Sequence, residues 1–364
     1  MEVPFVDVRR QYVELKGEID AAIARVLESG SYVNGKENLE FEKEFAAYCG
    51  APHAVTSSNG TTALHLALLA MGLQPGDEVI LPANTFIATA EAVAHAHGTP
   101  VLADVDEESF TLDADALRKA ITPKTKVILP VHLYGQPAAM DEIQKIAEEQ
   151  GVAILEDCCQ AHGARYKGER VPQNTGCFSF YPSKNLGAFG EGGMIVTHDV
   201  AVAEKARMLR SHGEKEKHHH SLLGHNFRLE ELQAAILRVK LKKLDEWNAK
   251  RIAVARAYQK SMENPEIILP RESSESEHVY HLFVVRSKQR DELVAHLAAR
   301  GIKTGIHYPV PIHLQPAFQY LGHSKGDFPV TEKLAGEILS LPMHPYLKDE
   351  EIKYVADSLN NWKE

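Results

Sequence analysis

What this sequence has little of narrows it first. Four cysteines occur in 364 residues: Cys49, Cys158, Cys159 and Cys177. None shows C-x-x-C spacing, and the adjacent pair could bridge only with strain, so a disulfide scaffold and a structural zinc site are both disfavoured. No apolar run of about 18 residues appears, and the opening "MEVPFVDVRRQYVELKGEIDAAI" has no apolar signal segment. A membrane is not an expected partner, and the chain reads as cytoplasmic. Basic residues are outnumbered, 40 to 50, giving a formal charge of −10 with no extended Lys/Arg stripe. Nucleic acid is therefore not an expected partner either. A site for an anion has to be local, built from backbone amides and a few basic side chains. The histidine tract His218–His220 points three ways on any regular element. It reads as a loop against substrate or solvent, and no metal is expected.

What is present is an α/β pattern. Apolar residues at helical spacing, Leu15, Ile19, Ile23 and Val26, mark a helix ending near Gly30, and a second runs from about Glu37 to Cys49. Short apolar runs then alternate with helices, as in "HAVTSS" before "TTALHLALLAMG" and "DEVILP" before "ATAEAVAHAHG". Continuous apolar strands between helices predict a mostly parallel sheet covered on both faces. Gly72, Gly98 and Gly151 fall where helix C-caps are expected. Residues from about Leu229 to Met262 predict one long helix, straight or kinked, linking two domains. The expected division is residues 1–245 and 246–364, the second a smaller α+β unit.

The stretch from Phe178 to Gly193, "FSFYPSKNLGAFGEGG", sets one lysine among aromatic residues and glycines. In a pocket of low polarity an amine loses its proton more easily, and a neutral amine attacks carbonyls. Other polar residues fall at strand ends, where open α/β sheets bind ligands. "SSNGTTAL" opens a helix at Gly60 and Thr61, a cup suited to phosphate, or simply a well-capped helix. Phe86 starts another helix, where it could cover a planar ring or merely pack. In "VAILEDCCQAHG", Asp157 and Gln160 end an apolar run, and a buried carboxylate needs a partner such as a protonated ring nitrogen or an arginine. Lys184 follows, with Ser179 and Ser183 as further donors. In this order the residues match a pyridoxal phosphate site.

At these motifs, together with "SYVNG", "PVHLYGQPAAM", "GHNFRLEELQAAIL" and "HYPVPIHLQPAF", the sequence resembles the DegT/DnrJ/EryC1/StrS sugar aminotransferases. These enzymes have the three-layer transferase fold of aspartate aminotransferase, fold type I. The resemblance implies pyridoxal 5'-phosphate as cofactor, with pyridoxamine phosphate as its second form. It implies that Lys184 carries the cofactor aldehyde and serves as acid and base, and that Asp157 pairs with the ring nitrogen. Gln160 would bond the ring hydroxyl, Phe86 would stack on one face, and Gly60, Thr61 and Ser179 would hold the phosphate. Asn226 would reach that phosphate from the other subunit of a homodimer. Cys159 and Thr62 stand where many relatives carry Ala and Asp, a difference expected to tune the site.

The resemblance further implies a keto-sugar linked to UDP or dTDP as acceptor and L-glutamate as donor. The loop "HGEKEKHHHSLLGHNFR" is more similar to relatives aminating C3 than C4. Tyr32, Asn34, Arg228, His219, His220, His307 and Tyr308 are the expected substrate contacts. Alternatives are a sugar dehydratase, an amino-acid transaminase, or a cofactor-binding regulator without turnover. Lys184 argues against the dehydratase, because some relatives of that kind carry histidine there.

Overall fold

The computed structural model describes residues 1–362. Helices α1 (Val8–Ser29) and α2 (Lys36–Cys49) come first, and each ends at a left-handed glycine, Gly30 or Gly50. Alternation follows: β1 (His53–Ser57), α3 (Gly60–Ala70), β2 (Glu78–Pro82), α4 (Ile87–His95), β3 (Thr99–Ala103), α5 (Ala114–Ala120), β4 (Thr125–Ile128), α6 (Met140–Gln150) and β5 (Ala153–Asp157). After the small hairpin β6 (Arg165–Tyr166) and β7 (Glu169–Arg170) come β8 (Thr175–Ser179), β9 (Gly193–Thr197) and α7 (Val200–Arg210). A second hairpin, β10 (Glu214–Glu216) and β11 (His219–His220), precedes α8 (Glu231–Leu241) and α9 (Leu244–Ser261). The rest comprises β12 (Ser276–Glu277), β13 (Phe283–Arg286), α10 (Arg290–Ala299), α11 (Pro329–Glu337), β14 (Ile338–Leu341) and α12 (Asp349–Asn360).

Seven strands form the central sheet in the order β1-β9-β8-β5-β4-β2-β3, and β9 alone is antiparallel to its neighbours. The other strands therefore end on one edge, where the catalytically interesting residues collect. Successive side chains of β2 separate two cores. Val79 and Leu81 face one with α3, α4 and α7, whereas Ile80 faces another with α2, α5, α6 and α8. Such two-sided burial explains why the strands read as unbroken apolar runs. A further core joins α9, β13, β14, α10 and α12, and Val3 at the N-terminus belongs to it. Val3 pairs there with Ile302.

Two expectations change. The helix from Leu229 to Met262 is two helices, α8 and α9, separated at Lys242 and Lys243; Lys243 N–H turns back to Lys240 O at 2.9 Å. The break lets Leu244 and Trp247, both fully buried, face different cores. Gly98 is not the left-handed cap of α4, because His97 takes that conformation at φ 64°. Gly98 answers to space instead: a Cβ there would lie 2.7 Å from Leu73 Cδ2.

Candidate active site

The strand ends meet in a cavity of about 590 Å³ that holds Lys184 in its wall. Its floor is local chemistry. Asn59 caps α3: its side-chain oxygen accepts from Thr62 N–H at 2.8 Å, and Thr62 Oγ1 accepts from Asn59 N–H at 3.0 Å. Such a cap is worth about 1 kcal/mol. The Thr62 hydroxyl is thereby occupied, and the amides of Gly60 and Thr61 are left at the helix N-terminus, where an anion is favoured. Gly60 is fully buried by its neighbours, and a Cβ on it would fall 2.7 Å from Ser179 Cβ and 2.9 Å from Cys159 Sγ. Only glycine lets the cup approach β8 this closely.

Asp157 ends β5, 5% exposed, with both carboxylate oxygens held. Thr89 donates its hydroxyl to Oδ2 at 2.9 Å, and Cys159 N–H donates to Oδ1 at 3.1 Å. Thr89 in turn contacts Thr85 Oγ1 at 3.0 Å. The sequence reading missed Thr89. Its signal was the spacing in "FIAT", which puts residue 89 one helical turn from Phe86 and so over the same end of α4. Gln160 has its carbonyl engaged by Tyr134 N–H at 2.7 Å, so its Nε2 is the free end, 3.3 Å from Tyr308 Oη. Tyr134 was also missed; its φ of 61° aims the amide at Gln160, and its hydroxyl bonds His307 O.

Lys184 N–H bonds Tyr181 O at 2.9 Å, which tightens the loop that carries it. Burial holds the Lys184 amine below the usual lysine range, and the charges of Cys159 and Asp157 oppose the shift. The nearby imidazoles cannot readily compete for its proton. Burial drives His281 well below its ordinary value and His307 down to about 4, and the Lys184 charge adds to both. Phe86, half exposed, and Tyr308 lie with ring centroids 5.2 Å apart at the cavity mouth.

Of the expected residues, Gly60, Thr61, Phe86, Asp157, Gln160, Ser179 and Lys184 line this one cavity, as do His307 and Tyr308. Tyr32, Asn34, Asn226, Arg228, His219 and His220 do not. Tyr32 and Asn34 precede α2, whose N-terminus is capped by Glu231 of α8 through Gly35 N–H at 2.9 Å and Glu37 N–H at 2.8 Å. Asn226 is exposed beside Phe227, whose carbonyl accepts from Ser58 N–H at 3.0 Å. His219 and His220 form the exposed strand β11.

One buried trio, His132, Glu156 and Cys158, has donor atoms close enough for a metal. Hydrogen bonding accounts for it instead. His132 Nδ1 accepts from Ala138 N–H at 3.0 Å, so Nε2 carries the proton and donates to Glu156 at 2.9 Å. The other Glu156 oxygen accepts from Gln173 and Asn174 amides at 2.9 and 2.7 Å. The set is satisfied, and it braces β5 beneath Asp157.

The cavity fits pyridoxal 5'-phosphate on these observations: a glycine-tight anion cup at one end, a held carboxylate at the other, and an amine with lowered proton affinity between. Comparison with known proteins agrees. The sequence profile of the DegT/DnrJ/EryC1/StrS aminotransferase family matches residues 13–360. The erythromycin biosynthesis sensory transduction protein EryC1 of Saccharopolyspora erythraea is 51% identical over 362 residues, covering 99% of each chain. The dTDP-3-amino-3,4,6-trideoxy-alpha-D-glucose transaminase of Streptomyces venezuelae is 48% identical, covering 100% of this chain and 96% of its own. The crystal structure of S. venezuelae DesV with a ketimine intermediate superposes with a TM-score of 0.98 at 48% identity, covering 99% of this chain and 98% of its own. Pyridoxal 5'-phosphate is the cofactor of this fold, with the pyridoxamine form as its partner state. The chain belongs to the DegT/DnrJ/EryC1/StrS aminotransferase family.

Proposed function

We propose that this chain moves an amino group from L-glutamate to C3 of a keto-sugar carried on dTDP or UDP. The observation that carries the reading is the pairing, in one cavity, of the amine Lys184 with the held carboxylate Asp157. The relative at 48% identity, named for a dTDP-3-amino sugar, supports the position and the nucleotide class.

The bound cofactor supplies an electron sink for negative charge at the amino carbon. The chain's residues do the rest. Asp157, held in place by Thr89 and the Cys159 amide, would face the ring nitrogen and favour its protonated form. Gln160 can donate only from Nε2, which suits a ring hydroxyl. Phe86 and Cys159, both lining the cavity, would lie against the ring. Gly60, Thr61 and Ser179 hold the phosphate. Lys184 Nζ takes a proton from the substrate's amino carbon and returns it, as a general base and acid should when its proton affinity is lowered toward neutral pH.

His307, Tyr308, half-buried Arg228 and the exposed set Tyr32, Asn34, His219 and His220 contact the sugar and nucleotide in this reading. Asn226 completes the phosphate cup of a second copy, so the working unit is a homodimer. Support comes from its exposure outside its own chain's cavity and from the half-exposed rings of Phe86 and Tyr181 beside that cavity. We divide the chain at residues 1–245 and 246–364, supported by the core that α9, α10, α12, β13 and β14 share, to which Val3 also contributes. The reaction is cytoplasmic in this reading, a compartment where the four unpaired cysteines stay reduced.

A regulator without turnover is the second reading, favoured by the name of the relative at 51% identity, a sensory transduction protein. One experiment separates them. Purified protein loaded with pyridoxal 5'-phosphate is given L-glutamate and dTDP- or UDP-linked 3-keto-sugars, and the products are read by mass spectrometry. Formation of 2-oxoglutarate and the 3-amino sugar supports the transaminase. Glutamate left untouched with every sugar would count against the glutamate-dependent transaminase and in favour of the regulator.

A further inference from the structure

Lys240 of α8 is a buried lysine that the reaction above does not use. It is 1% exposed, and its Nζ donates to the carbonyl of Gly187, three residues beyond Lys184. Two helical turns earlier, Gln233 accepts the Phe189 N–H through Oε1 at 2.8 Å. Residues seven apart share a helix face, so α8 grips the same short stretch at two points. Lys240 Nζ also lies 5.2 Å from the centroid of the Phe189 ring.

The gripped stretch is rigidly joined to Lys184. Ala188 N–H bonds Phe180 O at 2.7 Å and Lys184 N–H bonds Tyr181 O at 2.9 Å. At Gly187 a Cβ would fall 2.8 Å from the Pro182 carbonyl carbon and 2.9 Å from Tyr181 O. The two limbs of the loop are thus in contact, and a shift at Gly187 displaces the residues on either side of Lys184. Stability gives no reason for a lysine at this position. Burying an ammonium group is costly, and a methionine would fill the same helix face without that cost. Burial alone pushes the Lys240 amine down to about 7.

We propose that Lys240 and Gln233 clamp the active-site loop, with Lys240 the positioning residue that sets the Lys184 side chain in the cavity. The proposal rests on the reading of Lys184 as the reactive lysine. Its test uses Lys240→Met, Gln233→Met and the double variant. In the cofactor-free protein, amide exchange at Lys184, Ala188 and Phe189 should quicken about tenfold in either variant while amides of β5 and β8 are unchanged. In the loaded enzyme, the single-turnover rate with saturating L-glutamate should fall roughly tenfold in Lys240→Met, with the half-saturating concentration within about threefold. The melting temperature of Lys240→Met should hold or rise. The double variant should show less than the product of the single effects, because both contacts act through one loop.

Wild-type loop exchange in Lys240→Met would overturn the clamp. So would a lower melting temperature with wild-type exchange and turnover in the folded fraction, since that is plain loss of packing. A loosened loop with unchanged turnover would overturn the positioning role. Lys184→Ala, assayed alongside, tells whether the fault lies in the clamp or in the assignment of Lys184. If Lys240→Met does not fold, Gln233→Met, at a half-buried position, carries the same exchange measurement.

Discussion

The two ends of the site are built differently. At the cofactor end the polar groups are held by bonds from neighbouring elements: both Asp157 oxygens by Thr89 and the Cys159 amide, the Gln160 carbonyl by Tyr134, and the α3 N-terminus by the reciprocal cap of Asn59 and Thr62. At the end proposed above to meet the substrate, the hairpin of β10 and β11 stands exposed. His218 N–H bonds Glu214 Oε1 at 2.6 Å, and His220 Nδ1 donates to His212 O at 3.0 Å. These bonds shape the hairpin itself and none reaches the cavity. Chemistry requires preorganisation within tenths of an ångström, so one chain fixes it. In the proposed reading, selection among sugars falls to the hairpin surface, which this chain presents exposed.

If that contrast holds, substitutions at the cofactor end should destroy turnover, and those at the hairpin should only weaken substrate binding. Lys184→Ala makes the largest break: transamination should fall by at least about a thousandfold, with a folded protein by circular dichroism. Turnover above a hundredth of wild type would remove Lys184 from its role. Asp157→Asn comes next. It keeps the shape and one of the two acceptor oxygens but removes the charge, so the rate with L-glutamate should drop about a hundredfold or more. A rate within threefold would mean that the ring nitrogen is not partnered here.

An acid challenge sharpens the same contrast from below. His162 is fully buried against Phe178 and Phe180, with neither ring nitrogen hydrogen-bonded. Burial first, and then the Lys184 charge, push it down to about 3. A free histidine titrates near ~6.5, so the unfolded chain takes the proton first as pH falls. Stability from neutral His162 is complete above that value and is lost as pH drops toward 3. At pH 5 the loss is about 2 kcal/mol for this group alone. Denaturant unfolding at pH 7.5 and 5 should show a smaller difference in His162→Leu than in the wild type. Equal differences would acquit His162.

The sequence made the cofactor end legible for a physical reason. Glycines, a capping Asn59 and a carboxylate closing an apolar strand are local signals, each readable within a few residues. Lys184 stood out by its neighbours. Less legible were groups whose role depends on where the chain returns. Thr89 matters because α4 ends beside β5, and Tyr134 because of one positive φ. Lys240 lies in the lysine-rich stretch "KLKK", where nothing local tells which lysine turns inward, and it is buried. The helix break at Lys242 and Lys243 left no glycine or proline to announce it. His97, rather than Gly98, took the left-handed cap because packing against Leu73 claimed the glycine.

The hairpin gives the smallest and most telling effect. His219 and His220 are exposed, belong to a strand of two residues, and hold no group of the cavity. Replacing both by alanine should therefore leave the glutamate half of the reaction within about twofold of wild type, because nothing in the cofactor cradle moves. The KM for the nucleotide sugar should rise about three- to tenfold, the scale of one or two lost hydrogen bonds to a ligand. A fall in the glutamate rate would show that the hairpin supports the cradle and erase the division between the two ends. An unchanged KM would move substrate selection to His307 and Tyr308, inside the cavity, and leave the three histidines to solvent.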